Sequence, residues 1–303
     1  YLNVLKKKIA GAVYIANRNL KKAYIGIGKG KVKINVNRRG KILEGSLDLK
    51  PYPEGEVDEE VGVLKIVDEK KKVLAHLINY TCHAVVLGIE NLFVSADYPG
   101  VTQKVVEEVF GGISLFTNGC CGDINPVIQG GGFEDMERLG IALAGEVIKT
   151  SSLISDFSQP EIKMREKDIF LPWKSPFSEK ELRKIIEEEK KNLKNYGNKR
   201  KFRMGRSVSE ARLKWAKEVL EKDRISEKGI NVKIRVMEVG KAIFIAIPGE
   251  IFVEIGKKIK RFSPFSFTYI FGYADGMVGY IPTKKALEEG GYEPNAYIWD
   301  NGL

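Results

Sequence analysis

The stretch Val73-Leu74-Ala75-His76-Leu77-Ile78-Asn79-Tyr80 predicts a buried β-strand, and the small polar turn Thr81-Cys82-His83-Ala84 ends it. Val61–Val67 and the turn Asp68-Glu69-Lys70 precede this strand, so the two strands are expected to form a β-hairpin. His83 is one of only two histidines in the 303 residues. An imidazole at a strand end, beside hydroxyl and thiol groups, is well placed to bind a metal or to move a proton. A hydrogen-bonded structural histidine is the alternative that this segment leaves open.

The segments after the hairpin alternate between strand and helix patterns. The first of them are the helix Pro99–Phe110, the strand Ile113–Thr117, a glycine-rich loop and the helix Glu134–Lys149. The later ones are the strands Ile230–Val239 and Lys241–Ile247, the helix Glu250–Lys260 and the strand Thr268–Phe271. This alternation predicts an α/β fold, with a mixed β-sheet core and flanking helices, in which function is expected in loops at strand ends.

Two further segments complete the predicted organisation. A helix is predicted over residues 2–21, followed by the strands Ala23–Ile27 and Val32–Val36 around the turn Gly28-Lys29-Gly30. That turn lacks the full GxGxxG spacing and no helix follows it, which argues against a phosphate or dinucleotide cradle. Residues 176–228 carry charge-dense helical patterns and predict an inserted helical hairpin, either a lid or a solvated projection. We expect one domain over residues 1–303.

The composition argues against some classes of protein. No apolar run approaches the roughly 20 residues that a helix needs to cross a bilayer, so no transmembrane segment is predicted. Three cysteines, two of them adjacent, are a poor disulfide framework and favour a reducing compartment, so a cytoplasmic location is expected. The net charge of +10 would suit an acidic partner, but the basic residues are interspersed with glutamates. An ion-pair-rich surface of the kind found in thermophiles is therefore favoured over nucleic-acid binding.

Four loops at predicted strand ends carry polar residues that packing alone does not require. The first is the His83 turn with its continuation through Asp97, and the second is Thr117–Pro126, whose small residues let backbone N–H groups approach a ligand. The third contains Glu250 at a predicted helix start, where a carboxylate also complements the helix dipole. The fourth runs from Gly272 towards Glu293, and its tyrosines between glycines indicate either positioned hydroxyl groups or aromatic anchoring of the tail.

In this order, the loops resemble those of the neutral (non-lysosomal) ceramidases, a family of zinc-dependent amide hydrolases. The resemblance spans nearly the whole chain, through Asn37-Arg38, His83, Ser95–Gly100, Thr117–Pro126, Pro248-Gly249-Glu250 and Gly279-Tyr280 to Tyr292-Glu293. It implies a zinc site with His83, Glu250 and Tyr280 as ligands. It also implies that Tyr292 lies near the reacting carbonyl group and that Arg38 lines the substrate pocket.

The chemistry that the resemblance implies is hydrolysis of an amide (or ester) bond with metal-activated water as the nucleophile. Nitrogen and oxygen ligands of this kind suit Zn²⁺, which lowers the pKa of a bound water to about 7. An arginine or a tyrosine hydroxyl can stabilise the oxyanion that forms. The predicted catalytic residues are Arg38, Asp123, Asn125 and Tyr292, and the predicted substrate-binding residues are Asp97, Asn118 and Gly122.

Three features depart from the family pattern. The family's other zinc histidine lies upstream of the region where this chain begins. A histidine is therefore expected before Tyr1 as the fourth ligand, with an incomplete N-terminus, and the alternative is that the metal is bound weakly or not at all. Asn125 takes the place of the family's catalytic serine, and an amide cannot act as that nucleophile or as a base. The change leaves a metal-hydroxide route open but argues against ceramide as the substrate. The family's C-terminal immunoglobulin-like domain is expected to be missing, because little chain follows Tyr292.

Two alternatives to a hydrolase of small-molecule or lipid amides stay open. One is a metallohydrolase for a small polar amide, and the other is a non-catalytic binding protein that keeps the fold with a degenerate site. Measurements of zinc content and of zinc-dependent amidase activity distinguish an enzyme from the non-catalytic binding protein. No nucleic-acid partner is expected, and the sequence leaves the oligomeric state open.

Overall fold

The structure is a computed structural model that describes residues 1–40, 49–172, 178–197, 203–221 and 229–294. The helices in these ranges are α1 (Leu2–Arg18), α2 (Asp97–Phe110), α3 (Phe133–Leu153), α4 (Glu179–Tyr196), α5 (Arg203–Glu221), α6 (Val253–Phe262) and α7 (Lys284–Glu289). The first strands are β1 (Tyr24–Lys31), β2 (Asn35–Asn37), β3 (Glu60–Val67), β4 (Val73–Tyr80), β5 (Ile113–Asn118) and β6 (Ile124–Pro126). The later strands are β7 (Ile162–Pro172), β8 (Gly229–Val239), β9 (Ala242–Ala246), β10 (Glu250–Ile251), β11 (Phe267–Phe271) and β12 (Tyr280–Ile281).

The predicted β3–β4 hairpin lies at the centre of a four-stranded sheet with the order β1-β3-β4-β5. The β4 and β5 strands run parallel, so the loops after Tyr80 and Asn118 leave the same edge of the sheet. Helices α2 and α3 cover one face through a core that includes Ile78, Val106 and Leu143. This arrangement confirms the mixed α/β fold and places the His83 turn at a strand end.

A second four-stranded sheet, with the order β11-β9-β8-β7, packs against the other face of the first one. The two sheets share a core in which Leu64 lies with Phe244 and Tyr269. The long strand β7 was not predicted, because its side chains are almost all exposed and its sequence lacks an apolar alternation. Its antiparallel pairing with β8 and ion pairs such as Lys233–Glu166 hold it in the sheet.

Two short strand pairs correct the predicted start of the helix at Glu250. Helix α6 begins at Val253, while Glu250 lies in β10 and pairs in parallel register with Tyr280 of β12. The pairing of β2 with β6 likewise places Val36 opposite Asn125. Glu250 is therefore not a helix N-terminal carboxylate, because a strand fixes its backbone.

The glycine-containing segment of β1 is a second correction. The predicted turn Gly28-Lys29-Gly30 is part of a continuous strand that pairs with β3 over its whole length. A Cβ atom at Gly28 or Gly30 would collide with the side chains of Thr150 and Glu146 in α3. The glycines therefore allow α3 to pack closely against β1. The predicted strand Val32–Val36 is also shorter than expected, because Val32–Ile34 lies outside any strand.

The predicted helical hairpin is present as α4 and α5, which pack against each other through Leu182, Ile185, Ala216 and Val219. The predicted insertion also covers 176–177, 198–202 and 222–228, which lie outside the described residues. Helix α1 forms as predicted and buries none of its side chains. Within the described ranges, no helix is both long and apolar enough to cross a membrane. All three cysteines are buried and free.

Candidate functional site

Four chain segments meet at the edge of the first sheet where β4 and β5 end. His83 lies in the turn after β4, and its backbone N–H donates to the carbonyl oxygen of Ile124 at 3.0 Å. Arg38 follows β2, and its backbone N–H donates to the carbonyl oxygen of Asp123 at 2.9 Å. The β10–β12 pair supplies Glu250. A hydrogen bond from the N–H of Gly122 to the carbonyl oxygen of Ile251 holds this pair against the Thr117–Pro126 loop. Ligand sites in α/β folds lie at such strand ends.

His83 and Glu250 are in direct contact at the centre of this site. The Nε2 atom of His83 lies 2.7 Å from Oε2 of Glu250. The other ring nitrogen, Nδ1, lies 2.9 Å from the carbonyl oxygen of Ile124, which can only accept a hydrogen bond. Nδ1 therefore carries a proton, and this fixes the ring with Nε2 towards the carboxylate.

Two tyrosine hydroxyl groups complete the surroundings of the Glu250 carboxylate. Tyr273 donates to Oε2 of Glu250 at 2.9 Å. Tyr280 is the strand partner of Glu250 in the β10–β12 pair, and its hydroxyl group also lowers the pKa of this carboxylate. Burial alone would raise the pKa of Glu250, but the hydrogen bonds from His83 and the two tyrosines lower it below its ordinary value. Burial raises the pKa of both tyrosines, so their hydroxyl groups stay protonated as donors. The carboxylate is thus held ionised in a largely buried place.

Arg38 extends this network away from Glu250. Its Nη2 atom donates to the carbonyl oxygen of Gly122 at 2.7 Å. The guanidinium also lies over the rings of Tyr280 and Tyr292, with its central carbon 5.4 and 5.7 Å from the ring centres. One chain of contacts therefore runs from His83 through Glu250 and Tyr280 to Arg38.

A buried ion-pair cluster holds Arg38 in place. Oε1 of Glu293 accepts from Nε of Arg38 at 2.8 Å, and Oε2 accepts from Nη1 of Arg39 at 2.6 Å. The Glu293 side chain is 0 % exposed, and the two arginine side chains are 5 % and 7 % exposed. Tyr292 directly precedes Glu293, and its ring meets that of Tyr280 edge-on.

Asp123 and Asn125, both predicted to be catalytic, are fully engaged with protein groups. The Asp123 carboxylate accepts from Asn37 Nδ2 at 2.9 Å and from the backbone N–H of Val253, the first residue of α6, at 2.8 Å. Asn125 accepts from Nη1 of Arg38 at 3.2 Å and donates to Gln129 at 2.7 Å. These contacts give both residues a role in holding the site together, and their catalytic role stays a prediction.

Asp123 leads to a prediction for the pH dependence of stability. Burial raises its pKa to about 6, against an ordinary value of 3.8, although hydrogen bonds from Val253 and Asn37 oppose the shift. Between about pH 4 and pH 6 the folded protein therefore binds a proton that the unfolded chain has released. Stability is expected to fall by on the order of 3 kcal/mol as the pH rises through this window, and Asp123→Asn removes that dependence.

Urea unfolding of both proteins from pH 4 to pH 7 measures the effect. Asp156→Asn is the control, because the Asp156 side chain is exposed and its ion pair with Lys241 lies on the surface. Parallel pH profiles for the wild-type protein and Asp123→Asn would contradict the prediction.

The predicted substrate-binding residues have different surroundings. Asn118 has a buried Oδ1 atom without a hydrogen-bond partner among the described residues, which leaves an acceptor for a ligand. A Cβ atom at Gly122 would collide with the Glu250 carbonyl group, so only glycine fits there. The Asp97 carboxylate accepts from the backbone N–H groups of Val86, Leu87 and Tyr98 and so fixes its own loop. Substrate contact by these three residues stays a prediction.

The donor set fits a zinc ion in part. His83 and Glu250 present one nitrogen and one oxygen 2.7 Å apart, and two ligand atoms of one tetrahedral zinc lie roughly 3.3 Å apart. A metal would therefore fit between these two atoms after a small separation of the two side chains. No cluster of three or more His, Cys, Asp or Glu side chains arranged for a metal occurs in the described part of the chain. A third protein ligand here would be a tyrosine oxygen, such as that of Tyr280.

The fold has solved counterparts. The structure of neutral ceramidase from Pseudomonas aeruginosa matches with a TM-score of 0.66 and 15 % identity, over 98 % of this chain and 53 % of that one. A structure described as ceramidase complexed with C2 matches with a TM-score of 0.62 and 15 % identity, over 93 % and 52 %. The chain thus spans about half the length of both enzymes. No protein-family model and no curated protein matches the sequence. The likeness establishes a ceramidase-like fold.

The sequence predicted no role for two residues of the site, Tyr273 and Glu293. Tyr273 contacts Glu250, and Glu293 contacts Arg38, although both belong to the glycine-rich loop predicted to position hydroxyl groups. Nothing in the local pattern distinguishes Tyr273 from its neighbours, because its partner lies in another strand pair. Glu293 could have been found from the general rule that a buried arginine needs an acidic partner.

Proposed function

We propose that the chain is a zinc-dependent hydrolase of an amide (or ester) bond. The observation that supports this proposal most strongly is the unbroken contact from His83 through Glu250 and Tyr280 to Arg38. It links the two proposed zinc ligands His83 and Glu250 to a buried cation at the end of the strands. The ceramidase-like fold supports the same chemistry, since both matching structures are named as ceramidases.

The proposed roles follow from the chemistry of each group. His83, Glu250 and Tyr280 would hold the zinc ion together with the histidine expected upstream of Tyr1, and catalytic zinc can take a fifth ligand, which leaves a place for water or substrate. Zinc, when bound, would acidify a water molecule and polarise the carbonyl group of the substrate. Arg38 and Tyr292 would bind the carbonyl oxygen and stabilise its developing negative charge. A histidine upstream of Tyr1 stays part of the proposal as the fourth ligand.

An apolar cavity beside Tyr280 supports an amide with a hydrocarbon group. The cavity has a volume of about 260 Å³ and also borders Glu293. Its aliphatic walls are formed by Leu171, Ile230, Val278, Ile281 and Leu287. A methylene group is similar in size to a water molecule, which takes up about 30 Å³. The cavity would therefore hold a hydrocarbon chain of roughly eight or nine carbons. These walls favour a lipid-like acyl group over a small polar amide.

The state of Asn125 supports a route without a serine nucleophile. Its side chain is engaged with Arg38 and Gln129, so it fixes the arginine and has no nucleophilic atom to offer. The second candidate function is a non-catalytic binding protein, which the absence of this nucleophile favours. Hydrolysis measurements separate the two functions.

The test uses the metal-free protein, zinc, and amides of p-nitroaniline with acetyl, octanoyl and palmitoyl groups. We expect hydrolysis only after zinc is added, with the octanoyl amide cleaved fastest. A chelator should abolish the activity and excess zinc should restore it. Binding of the octanoyl amide without hydrolysis would favour the binding protein. Failure to bind zinc would contradict the proposal.

A further inference from the structure

We propose that Tyr273 is a positioning residue of the candidate metal site. Its hydroxyl group would hold the Glu250 carboxylate in the orientation in which Oε2 faces His83. This inference rests on the proposed zinc site and adds a residue to it that supports a ligand without binding the metal itself.

The first observation is that two side chains converge on one oxygen atom. Oε2 of Glu250 accepts from the Tyr273 hydroxyl at 2.9 Å and lies 2.7 Å from Nε2 of His83. The sulfur atom of Cys121 lies 3.6 Å from the same hydroxyl, on a buried side chain. The hydroxyl therefore has a carboxylate oxygen and a thiol as its partners, and it limits rotation of the carboxylate.

The second observation is the backbone of Tyr273. Its φ angle is +56°, in the left-handed region that bulky residues rarely adopt. Such strained positions concentrate at functional sites and persist only where surrounding contacts determine them. Glycine would adopt this conformation without strain, so the tyrosine side chain has a reason to be there. The hydrogen bond to Glu250 supplies that reason.

The third observation is that the backbone around Tyr273 is tied to the backbone that carries Glu250. The N–H of Tyr273 donates to the carbonyl oxygen of Gly249 at 3.1 Å, and that of Ala274 donates to Ile247 at 3.2 Å. Because Gly249 directly precedes Glu250, the hydroxyl and the carboxylate are held by one rigid unit. The orientation of the carboxylate is thus set before any ligand binds.

Hydrogen bonds to metal ligands commonly contribute a factor of about 10 to 100 in metal affinity. We therefore expect Tyr273→Phe, which removes only the hydroxyl, to weaken zinc binding by about 10- to 100-fold. The affinity is measured by competition with a chromogenic chelator, and the absorption spectrum of bound Co²⁺ reports the ligand geometry. We expect that spectrum to change in the variant.

Tyr269→Phe is the matched control. Tyr269 is more deeply buried than Tyr273, at 2 % against 36 % exposed, and its hydroxyl donates to the carbonyl oxygen of Gly28 at 3.1 Å. Zinc affinity should be unchanged in this variant, while both variants lose a partly buried tyrosine hydrogen bond. Equal zinc affinity in the wild-type protein and Tyr273→Phe would overturn the positioning role, and so would an equal loss in both variants. A wild-type protein that does not bind zinc would instead overturn the proposed function and the positioning role together.

Discussion

Glu250→Gln is expected to weaken zinc binding by more than about 100-fold, which exceeds the loss for a residue that only supports a ligand. Glutamine keeps the size of the side chain but removes the negative charge that faces Nε2 of His83. Amide hydrolysis should fall by at least about 100- to 1,000-fold, because the variant loses the metal and the charge arrangement around the reacting bond. Zinc affinity by chelator competition and initial rates on the octanoyl amide measure the two effects.

The control for this prediction is Glu254→Gln, the same substitution in the first turn of α6. Because the Glu254 side chain is exposed, the zinc affinity and the hydrolysis rates of the Glu254→Gln variant should equal those of the wild-type protein. If Glu250→Gln binds zinc within a few-fold of the wild-type protein, Glu250 is not a ligand. Far-ultraviolet circular dichroism verifies that each variant is folded.

Glu293→Gln is expected to lower the free energy of unfolding by about 3 to 5 kcal/mol, the usual loss when one partner of a buried ion pair is removed. The substitution leaves Arg38 and Arg39 buried beside a neutral side chain. Urea unfolding at pH 7 measures the change. Because Arg38 then loses the partner of its Nε atom, hydrolysis should also slow, with a larger effect on kcat than on KM.

Glu179→Gln in α4 is the comparison for this variant. It removes the partner of Arg183 in an exposed pair, which should cost no more than about 1 kcal/mol. A loss in Glu293→Gln as small as that of Glu179→Gln would contradict the structural role given to the cluster. Parallel unfolding transitions by fluorescence and circular dichroism would support the two-state treatment of both variants.

Local sequence patterns predicted the parts of the fold that depend on neighbours in the chain. The hairpin of Val61–Val67 and Val73–Tyr80 and the helix after Asp97 were predicted correctly, because alternation and helix-start signals are local. The predicted turn at Gly28 was wrong because glycine is needed there for close packing against the side chain of Thr150, which is distant in the sequence. The predicted start of α6 at Glu250 was wrong because Glu250 pairs with Tyr280. Helix α6 and strand β11 separate these two residues in the sequence, so no local pattern indicates the pairing.

The site also depends partly on contacts between residues that are distant in the sequence. The resemblance to ceramidases selected His83, Glu250, Tyr280 and Arg38, and the structure brings these four residues into one network. Their roles towards a metal and a substrate stay predictions. The sequence could not select Tyr273, because its importance depends on a left-handed backbone angle and on a partner in another strand.

Anomalous X-ray scattering tests most directly whether His83, Glu250 and Tyr280 bind zinc. Crystals grown with zinc would be measured on both sides of the zinc absorption edge. We predict an anomalous peak between Nε2 of His83 and Oε2 of Glu250, about 2.0 to 2.1 Å from each atom and within reach of the Tyr280 oxygen. A peak elsewhere, or no peak at this position in crystals saturated with zinc, would contradict the account.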